Sequence, residues 1–269
     1  MSRSRPLQIL TLLCGLSVLL LAAGEPKQRV LVSKTERMDF PPNATLRLAN
    51  SVGVVTVEAW DGPGVEITTT KSTKVEYEAR DREKAIHELD NVHITAERHG
   101  DELVIATTFR RRAFPPPYPF DKRIAFYPLT RDVNFDLEYR IKVPRNGGIV
   151  VNHAIGEVNI DGIAGDIQVT LLRGEIMLHL PEEERRTIHA SSKFGHVDSD
   201  FPGQQKRRGW ITGHRVVYKD SAAAHKLNLK VGNGNIVILK TRVPKTPEPA
   251  VRAVAREARA MHDGERSGP

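Results

Sequence analysis

The chain has 269 residues, a formal net charge of +7 at pH 7 and one cysteine. This length accommodates one large β domain or two small ones, and the modest positive charge suits an anionic partner without demanding one. Cys14 lies in an N-terminal apolar segment. If that segment is removed, the mature chain has no disulfide, no thiol nucleophile and no thiolate metal site.

Residues 1–24 have the composition of a secretory signal peptide. Arg3 and Arg5 form a basic start, an apolar run follows at 7–21, and small residues precede the expected cleavage after Gly24. The run is short for a membrane span, which needs about 20 residues. We therefore predict a protein exported to the periplasm or cell surface. A large secreted chain without cysteines favours a bacterial envelope.

The mature chain is predicted to form one β-repeat domain, residues 25–243. Its first half alternates apolar and polar residues in short segments such as 46–60, each bounded by glycine-containing turns. Helical spacing of apolar residues predicts a short helix near 80–90. The segments 92–97 and 102–107 flank a glycine-containing turn, which indicates a hairpin.

The segment 110–123 is predicted to be an exposed loop. It holds five basic residues and four prolines, and it is too long for a tight turn. Its arginines can bind carboxylates, sulfates or phosphates through paired hydrogen bonds, and aromatic residues beside arginine are typical of binding hot spots. The alternative is a solvated insertion without a partner. The candidate binding residues are Arg110, Arg111, Arg112, Phe114, Tyr118 and Phe120.

A glycine-punctuated repeat occupies the centre of the chain. After a clean alternating strand at 133–143, glycines recur at 148, 156, 165 and 174, a spacing of about nine residues. Each unit is one short strand and one turn, and it buries too little apolar surface to be stable alone. The units must therefore stack, which predicts a single-domain, all-β fold of the β-solenoid or β-helix type. A β-sandwich of ordinary hairpins is the alternative.

Alternation with period two assigns each side chain of the repeat to a face. We predict one stacked interior formed by Val158, Ile160, Ile167, Val169, Ile176 and Leu178. The opposite, solvent-facing set is Glu157, Asn159, Asp166 and Gln168. Further along, residues 181–186 are predicted to form a charged turn and 201–208 a basic loop. The segment 244–269 is predicted to be a flexible basic tail.

Few residues suggest chemistry. The histidines are scattered without the tight spacing of a metal site, so we expect no metal and no cofactor. Asp198 and Asp200 lie on one strand face and invite comparison with β-helix polysaccharide lyases and hydrolases, which use paired carboxylates. A solvated edge is the plainer interpretation, and we expect no catalytic residues. Nucleic acid is not an expected partner because an exported protein rarely meets it.

Several of these motifs together resemble a known family. They are Leu46–Asn50, Gly53–Val57, Ala59–Asp61, Lys71, Leu137–Pro144 and the Gly-x-Val/Ile units that follow. Over residues 38–240 the sequence resembles the putative-adhesin domain family of bacterial envelope proteins. Family members usually carry Asn-Gly before each unit, whereas Gly156, Gly165 and Gly174 follow other residues here.

The resemblance implies an exported β-solenoid with an adhesion or envelope-associated role, and it brings no catalytic residues. We therefore predict a non-enzymatic, adhesin-like or scaffold protein of the cell envelope. Its expected partners are anionic polysaccharide, envelope lipid or another envelope protein, in an oligomeric state that the sequence leaves open. The alternative function is a β-helix carbohydrate-active enzyme.

Overall fold

The computed structural model describes residues 26–41, 43–109, 133–182, 185–208 and 213–241. Within these ranges the fold is all-β with one short α-helix, and the strands belong to a single sheet. The predicted all-β class is therefore confirmed. No helix in the described ranges is long and apolar enough to cross a membrane. The predicted signal peptide and tail lie outside these ranges.

The described elements follow the predicted order closely. The helix α1 (Arg82–Asp90) forms where the sequence predicts it and follows a 3₁₀ turn at Ala79–Asp81. The strands are β1 (Gln28–Met38), β2 (Thr45–Trp60), β3 (Val65–Tyr77), β4 (Val92–His99), β5 (Glu102–Phe109), β6 (Phe135–Pro144), β7 (Gly148–Asp161), β8 (Ile167–Pro181), β9 (Arg186–Phe194), β10 (Val197–Ser199), β11 (Gln204–Arg208), β12 (Gly213–Tyr218), β13 (His225–Asn233) and β14 (Ile236–Thr241).

The central strands pair in parallel and in register. Ile149 of β7 pairs with Ile167 of β8, and Gly156 pairs with Gly174, so equivalent residues lie 18 positions apart. The nine-residue sequence unit is therefore half of the structural repeat. β2 continues the stack beyond β7, and β13 followed by β14 continues it beyond β8.

A row of glycines bends the sheet across these strands. The row contains Gly53, Gly156, Gly174, Gly234 and Gly195, with φ angles between +111° and +146°. A Cβ on Gly174 would lie 1.7 Å from the carbonyl oxygen of Gly156, and a Cβ on Gly156 would lie 1.7 Å from that of Gly53. Because only glycine tolerates this φ and this approach, the row fixes where the strands turn. We call it the glycine corner.

The glycine corner divides the sheet into two layers. The first layer contains the segments that precede the glycines, together with the strands β4, β5, β12 and β11 that pair alongside them, in the strand order β4, β5, β2, β7, β8, β13, β9, β12, β11. The second layer contains the segments that follow the glycines, together with the strands β1, β3 and β6 that pair alongside them, in the order β1, β3, β6, β2, β7, β8, β14, β10. The long strands β2, β7 and β8 contribute to both layers.

The two layers share one core. Leu46 precedes Gly53 and Val55 follows it, yet both belong to the same buried cluster. Alternation along each strand supplies this cluster from both layers. The predicted interior is confirmed, since each member is at most 1% exposed: Val158, Ile160, Ile167, Val169, Ile176 and Leu178. In the predicted outward set, Glu157, Asp166 and Gln168 are exposed and Asn159 is half-buried.

Antiparallel strands and the helix flank the parallel stack. β4 and β5 form the predicted hairpin. Ala85 and Leu89 of α1 bury against Val30 of β1 in a small second cluster. The Lys71 ammonium group donates to the carbonyl oxygens of Leu89 and Val92 at 3.3 and 2.5 Å, which ties the end of the helix to β3.

Two local predictions are wrong. Residues 204–208 of the predicted basic loop form β11, an edge strand that pairs with β12. Arg186, predicted in a charged turn, is the first residue of β9 and is 1% exposed. Its guanidinium donates to the carbonyl oxygens of Ile163, Ala164 and Gly165 at 2.6, 3.0 and 3.1 Å. It therefore satisfies the backbone of the turn between β7 and β8.

Candidate functional site

The binding loop predicted from the sequence lies outside the described residues. This applies to all six candidates: Arg110, Arg111, Arg112, Phe114, Tyr118 and Phe120. Their role stays a prediction. Among the described residues, alternate side chains of the paired strands project away from the core and form two outer faces of the sheet.

The outer face of the first layer is basic from β7 to β12. It carries Lys193 of β9, Arg215 of β12, and Lys226 and Lys230 of β13, all four exposed. The first-layer segments of β7 and β8 and the strands β9, β12 and β13 contain no aspartate or glutamate. We call these four residues and the polar side chains between them the basic face.

A row of side chains crosses the basic face at right angles to the strands. The register aligns Asn152, Thr170, Lys230, Ser191 and Arg215 on five neighbouring strands. At about 4.8 Å between strands, the row is roughly 19 Å long. The Lys230 and Arg215 side chains have no ion-pair partner among the described residues. Both cations are therefore available to an external anion.

The outer face of the second layer is acidic from β2 to β10. Glu58 of β2, Glu157 and Asp161 of β7, Glu175 of β8 and Asp198 of β10 occupy it. We call these five residues the acidic face. Glu157 lies directly opposite Glu175, and like charges in this position destabilise a sheet.

Toward β1 the second layer carries paired charges instead. The Glu66 carboxylate accepts hydrogen bonds from Lys142 at 2.9 Å and from Arg37 at 2.8 Å. The hydrogen bond from Lys142 has the larger effect and the one from Arg37 the smaller, and both hold the pKa of the Glu66 carboxyl below its ordinary value. Glu66, Lys142 and Arg37 thus stabilise one another across β1, β3 and β6.

The histidines do not converge on a metal site. No group of three or more potential ligands among histidine, cysteine, aspartate and glutamate occurs within the described residues. His196 and His214 contact each other edge to face, with 4.6 Å between ring centroids. His153 is buried, and its Nε2–H donates to the carbonyl oxygen of Gly53 at 3.0 Å. This bond braces the glycine corner from inside.

The two aspartates, Asp198 and Asp200, have different surroundings. Asp198 is exposed on β10, which ends at Ser199. The Asp200 carboxylate accepts a hydrogen bond from the backbone N–H of Lys240 at 3.1 Å. This bond ties the segment after β10 to the end of β14, so the position of Asp200 has a structural explanation.

Part of the basic face was visible in the sequence. In Lys226-Leu-Asn-Leu-Lys230, alternation places both lysines and Asn228 on one face. The rest of the basic face depends on the strand order, which the sequence does not show. β13 inserts between β8 and β9, which brings Lys230 beside Thr170 and Ser191, and no local pattern indicates that insertion.

Comparisons with known proteins establish no family. No family model matches the chain, and no curated protein matches it. Among solved structures, it is similar to a putative cell adhesion protein from Clostridium sporogenes, with 14% identity, a TM-score of 0.44, and coverage of 79% of this chain and 100% of that chain.

Two further solved structures are putative adhesins. The one from Bacteroides fragilis has 10% identity, a TM-score of 0.22, and coverage of 78% of this chain and 97% of that chain. The one from Parabacteroides distasonis has 11% identity, a TM-score of 0.21, and coverage of 77% and 67%.

Proposed function

We propose that this protein is an exported, non-enzymatic binding or scaffold protein of the bacterial cell envelope, with an adhesin-like role. In this proposal the basic face binds an anionic envelope polymer, such as a polysaccharide with carboxylate or phosphate groups. The signal-peptide composition of residues 1–24 supports export. The basic face supports the choice of partner.

We propose further that the stacked strands form a β-solenoid rather than a β-sandwich. The 18-residue parallel register between β7 and β8 supports this choice, because sandwich sheets are built from antiparallel strands. A solenoid offers long, regular outer faces, which suit an extended polymer better than a compact ligand.

The observation that carries the proposed function is the row that contains Lys230 and Arg215. Its two cations have no ion-pair partner among the described residues. Ser191 lies between them, and hydroxyl and amide side chains continue the row. Arginine binds carboxylates and phosphates through paired hydrogen bonds, and lysine adds a point charge. A flat row of this composition can contact several repeating units of an anionic chain.

Binding to immobilised alginate tests the proposed function, with neutral dextran as the reference polymer. The double variant Lys230→Ser/Arg215→Ser should bind alginate at least about tenfold more weakly, the ratio expected for loss of one charge-assisted contact. Wild-type binding should also weaken steeply with salt, since exposed charges are screened. Anionic phospholipid vesicles in a parallel assay separate a lipid partner from a glycan partner.

Two controls locate the contact. Glu157→Gln/Glu175→Gln alters the opposite face and should leave alginate binding unchanged. A variant with Arg110, Arg111 and Arg112 replaced by serine tests the predicted loop separately. Alginate binding that survives Lys230→Ser/Arg215→Ser would remove the basic face from the proposal.

The alternative, a β-helix carbohydrate-active enzyme, predicts turnover of a polysaccharide. A screen of pectins, alginates and other glycans with the purified protein should show none. Turnover that Asp198→Asn or Asp200→Asn abolishes would establish the enzyme in place of the binding protein.

A further inference from the structure

A shallow depression of about 220 Å³ lies on the outer face of the second layer, where β3 and β6 pair. Four side chains line it: Thr68, Thr70, Glu138 and Arg140. The depression is separate from the basic face, which belongs to the first layer. It is therefore not part of the proposed site for an anionic polymer.

The charged groups of the depression are not used by the fold. Glu138 and Arg140 are exposed, and neither has an ion pair or side-chain hydrogen bond to any of the described residues. Their neighbours differ, since Glu66 is paired with Lys142 at 2.9 Å and with Arg37 at 2.7 Å. The neighbouring charges are thus paired, whereas the Glu138 carboxylate and the Arg140 guanidinium are available to bind a ligand.

Hydrogen bonds to the neighbouring strand β1 hold the hydroxyl groups of the depression in place. Thr68 Oγ1 contacts Thr35 Oγ1 at 2.9 Å, and Thr70 Oγ1 contacts Ser33 Oγ at 3.1 Å. Each pair has two hydroxyl protons and uses one between its members, so one proton remains to donate elsewhere. Both threonines therefore offer oriented polar groups beside Glu138 and Arg140.

We infer that this depression binds an uncharged glycan through its hydroxyl groups. Glu138 only accepts hydrogen bonds, Arg140 only donates them, and the threonines do both. A sugar hydroxyl can donate to the carboxylate while a neighbouring sugar oxygen accepts from the guanidinium. The opposite charges cancel, so neither an anion nor a cation is favoured over a neutral polyol.

The register extends the site beyond one sugar. Thr68, Arg140, Thr56 and Asn159 lie in one row across β3, β6, β2 and β7. At about 4.8 Å between strands, this row spans roughly 14 Å. It offers a polar side chain at every strand, so an oligosaccharide lying across the strands can contact several of them.

Calorimetric titration with maltohexaose, cellohexaose and chitohexaose tests the inference. At least one of these uncharged hexasaccharides should bind the full chain at millimolar concentration or below, with little dependence on salt. The variant Glu138→Gln/Arg140→Gln should bind it at least about tenfold more weakly. Since both residues are exposed, the variant should retain the thermal unfolding midpoint of the wild type.

The variant Lys230→Ser/Arg215→Ser is the matched control, and its affinity for the hexasaccharide should equal that of the wild type. No binding of any of the three sugars, or equal binding by Glu138→Gln/Arg140→Gln, would overturn the inference. If Lys230→Ser/Arg215→Ser loses alginate binding but still binds the hexasaccharide, the inference about the depression is supported. The two proposals therefore fail independently.

Discussion

The two outer faces of the sheet differ in charge although long strands contribute to both. In β7, the residues before Gly156 include no acidic side chain, whereas Glu157 and Asp161 follow it. In β8, Glu175 follows Gly174 in the same way. The second-layer strand β14 carries one lysine, Lys240, and it contacts Glu182 at 3.3 Å. The glycine corner is thus also the boundary between the two faces.

This contrast shows how one chain can present two surfaces without two domains. The interior residues on both sides of the corner are alike, because both layers fill the same core. The exterior residues are free of that constraint and diverge. The two faces therefore present different charges to solvent while they cover one core.

The largest effect should come from the corner itself. In Gly174→Ala the new methyl group would lie 1.7 Å from the carbonyl oxygen of Gly156, at a φ of +136°. Neither backbone can move without breaking the ladder, so we expect a loss of about 4 kcal/mol or more, or no folding at all. Urea unfolding followed by circular dichroism measures the change.

Gly100→Ala is the matched control for the corner. Gly100 also has a positive φ, +62°, but open space surrounds the position of its Cβ. Its replacement should cost only about 1 kcal/mol. If the two variants lose equal stability, positive φ alone accounts for the need for glycine at the corner, and the close approach of neighbouring strands does not.

The next effect concerns the core that both layers share. Ile176 is fully buried in the second layer, and its truncation to alanine should cost about 2–4 kcal/mol through the cavity that it leaves. Gln168→Ala on the outer face of the first layer should change stability by less than about 0.5 kcal/mol. Comparable losses in the two variants would mean that the outer face of the first layer is also covered.

The sequence predicted the parts of this architecture that depend on alternation and local turns. The buried positions of the repeat, the hairpin of β4 and β5 and the helix α1 all follow from residue spacing. The 18-residue register does not follow from residue spacing, since a nine-residue spacing alone does not show which glycines lie next to one another on paired strands. Strand order decides that, and strand order is a long-range property.

Arg186 shows the same limit for a single residue. In the sequence it stands in Glu-Glu-Glu-Arg-Arg, a run that indicates solvent exposure. In the structure it is buried against three carbonyl oxygens of the turn between β7 and β8, about 20 residues earlier in the chain. The candidate site was missed for the same reason, because Lys230 and Arg215 become neighbours of Ser191 only through the sheet.

The pH dependence of stability tests the role of His153, which lies on the inner side of the glycine corner. Burial lowers the pKa of His153 below its ordinary value, because the charged imidazolium would lose its water. The unfolded chain then binds the proton more readily than the folded chain. The stability that neutral His153 provides is complete above the unfolded pKa, about 6.5. It is lost as the pH falls from there toward the folded pKa.

Urea unfolding at a series of pH values between neutral and mildly acidic measures this loss. The wild type should lose up to about 1.4 kcal/mol per pH unit from this one group. His153→Gln keeps a donor for the Gly53 carbonyl oxygen and should show a shallower slope. His87→Gln, on the exposed side of α1, controls for the removal of a histidine. A wild-type slope in His153→Gln would show that His153 does not couple the corner to pH.

The smallest effect should come from the acidic face. Glu157 and Glu175 lie opposite each other on paired strands, and such like-charged pairs destabilise a sheet by about 0.2–1 kcal/mol. Glu157→Gln/Glu175→Gln should therefore stabilise the protein by a few tenths of a kcal/mol. Since both charges face solvent, the gain should shrink as salt screens them. Chemical unfolding at low and high ionic strength measures both quantities.

Asp198→Asn provides the comparison for that pair. It removes an acidic group from the same face, but its register partner is Val237, which carries no charge. We expect no gain in stability and no dependence on salt. A gain equal to that of Glu157→Gln/Glu175→Gln would mean that the acidic face repels itself as a whole. In that case its charges act collectively, and a cationic partner would relieve them all.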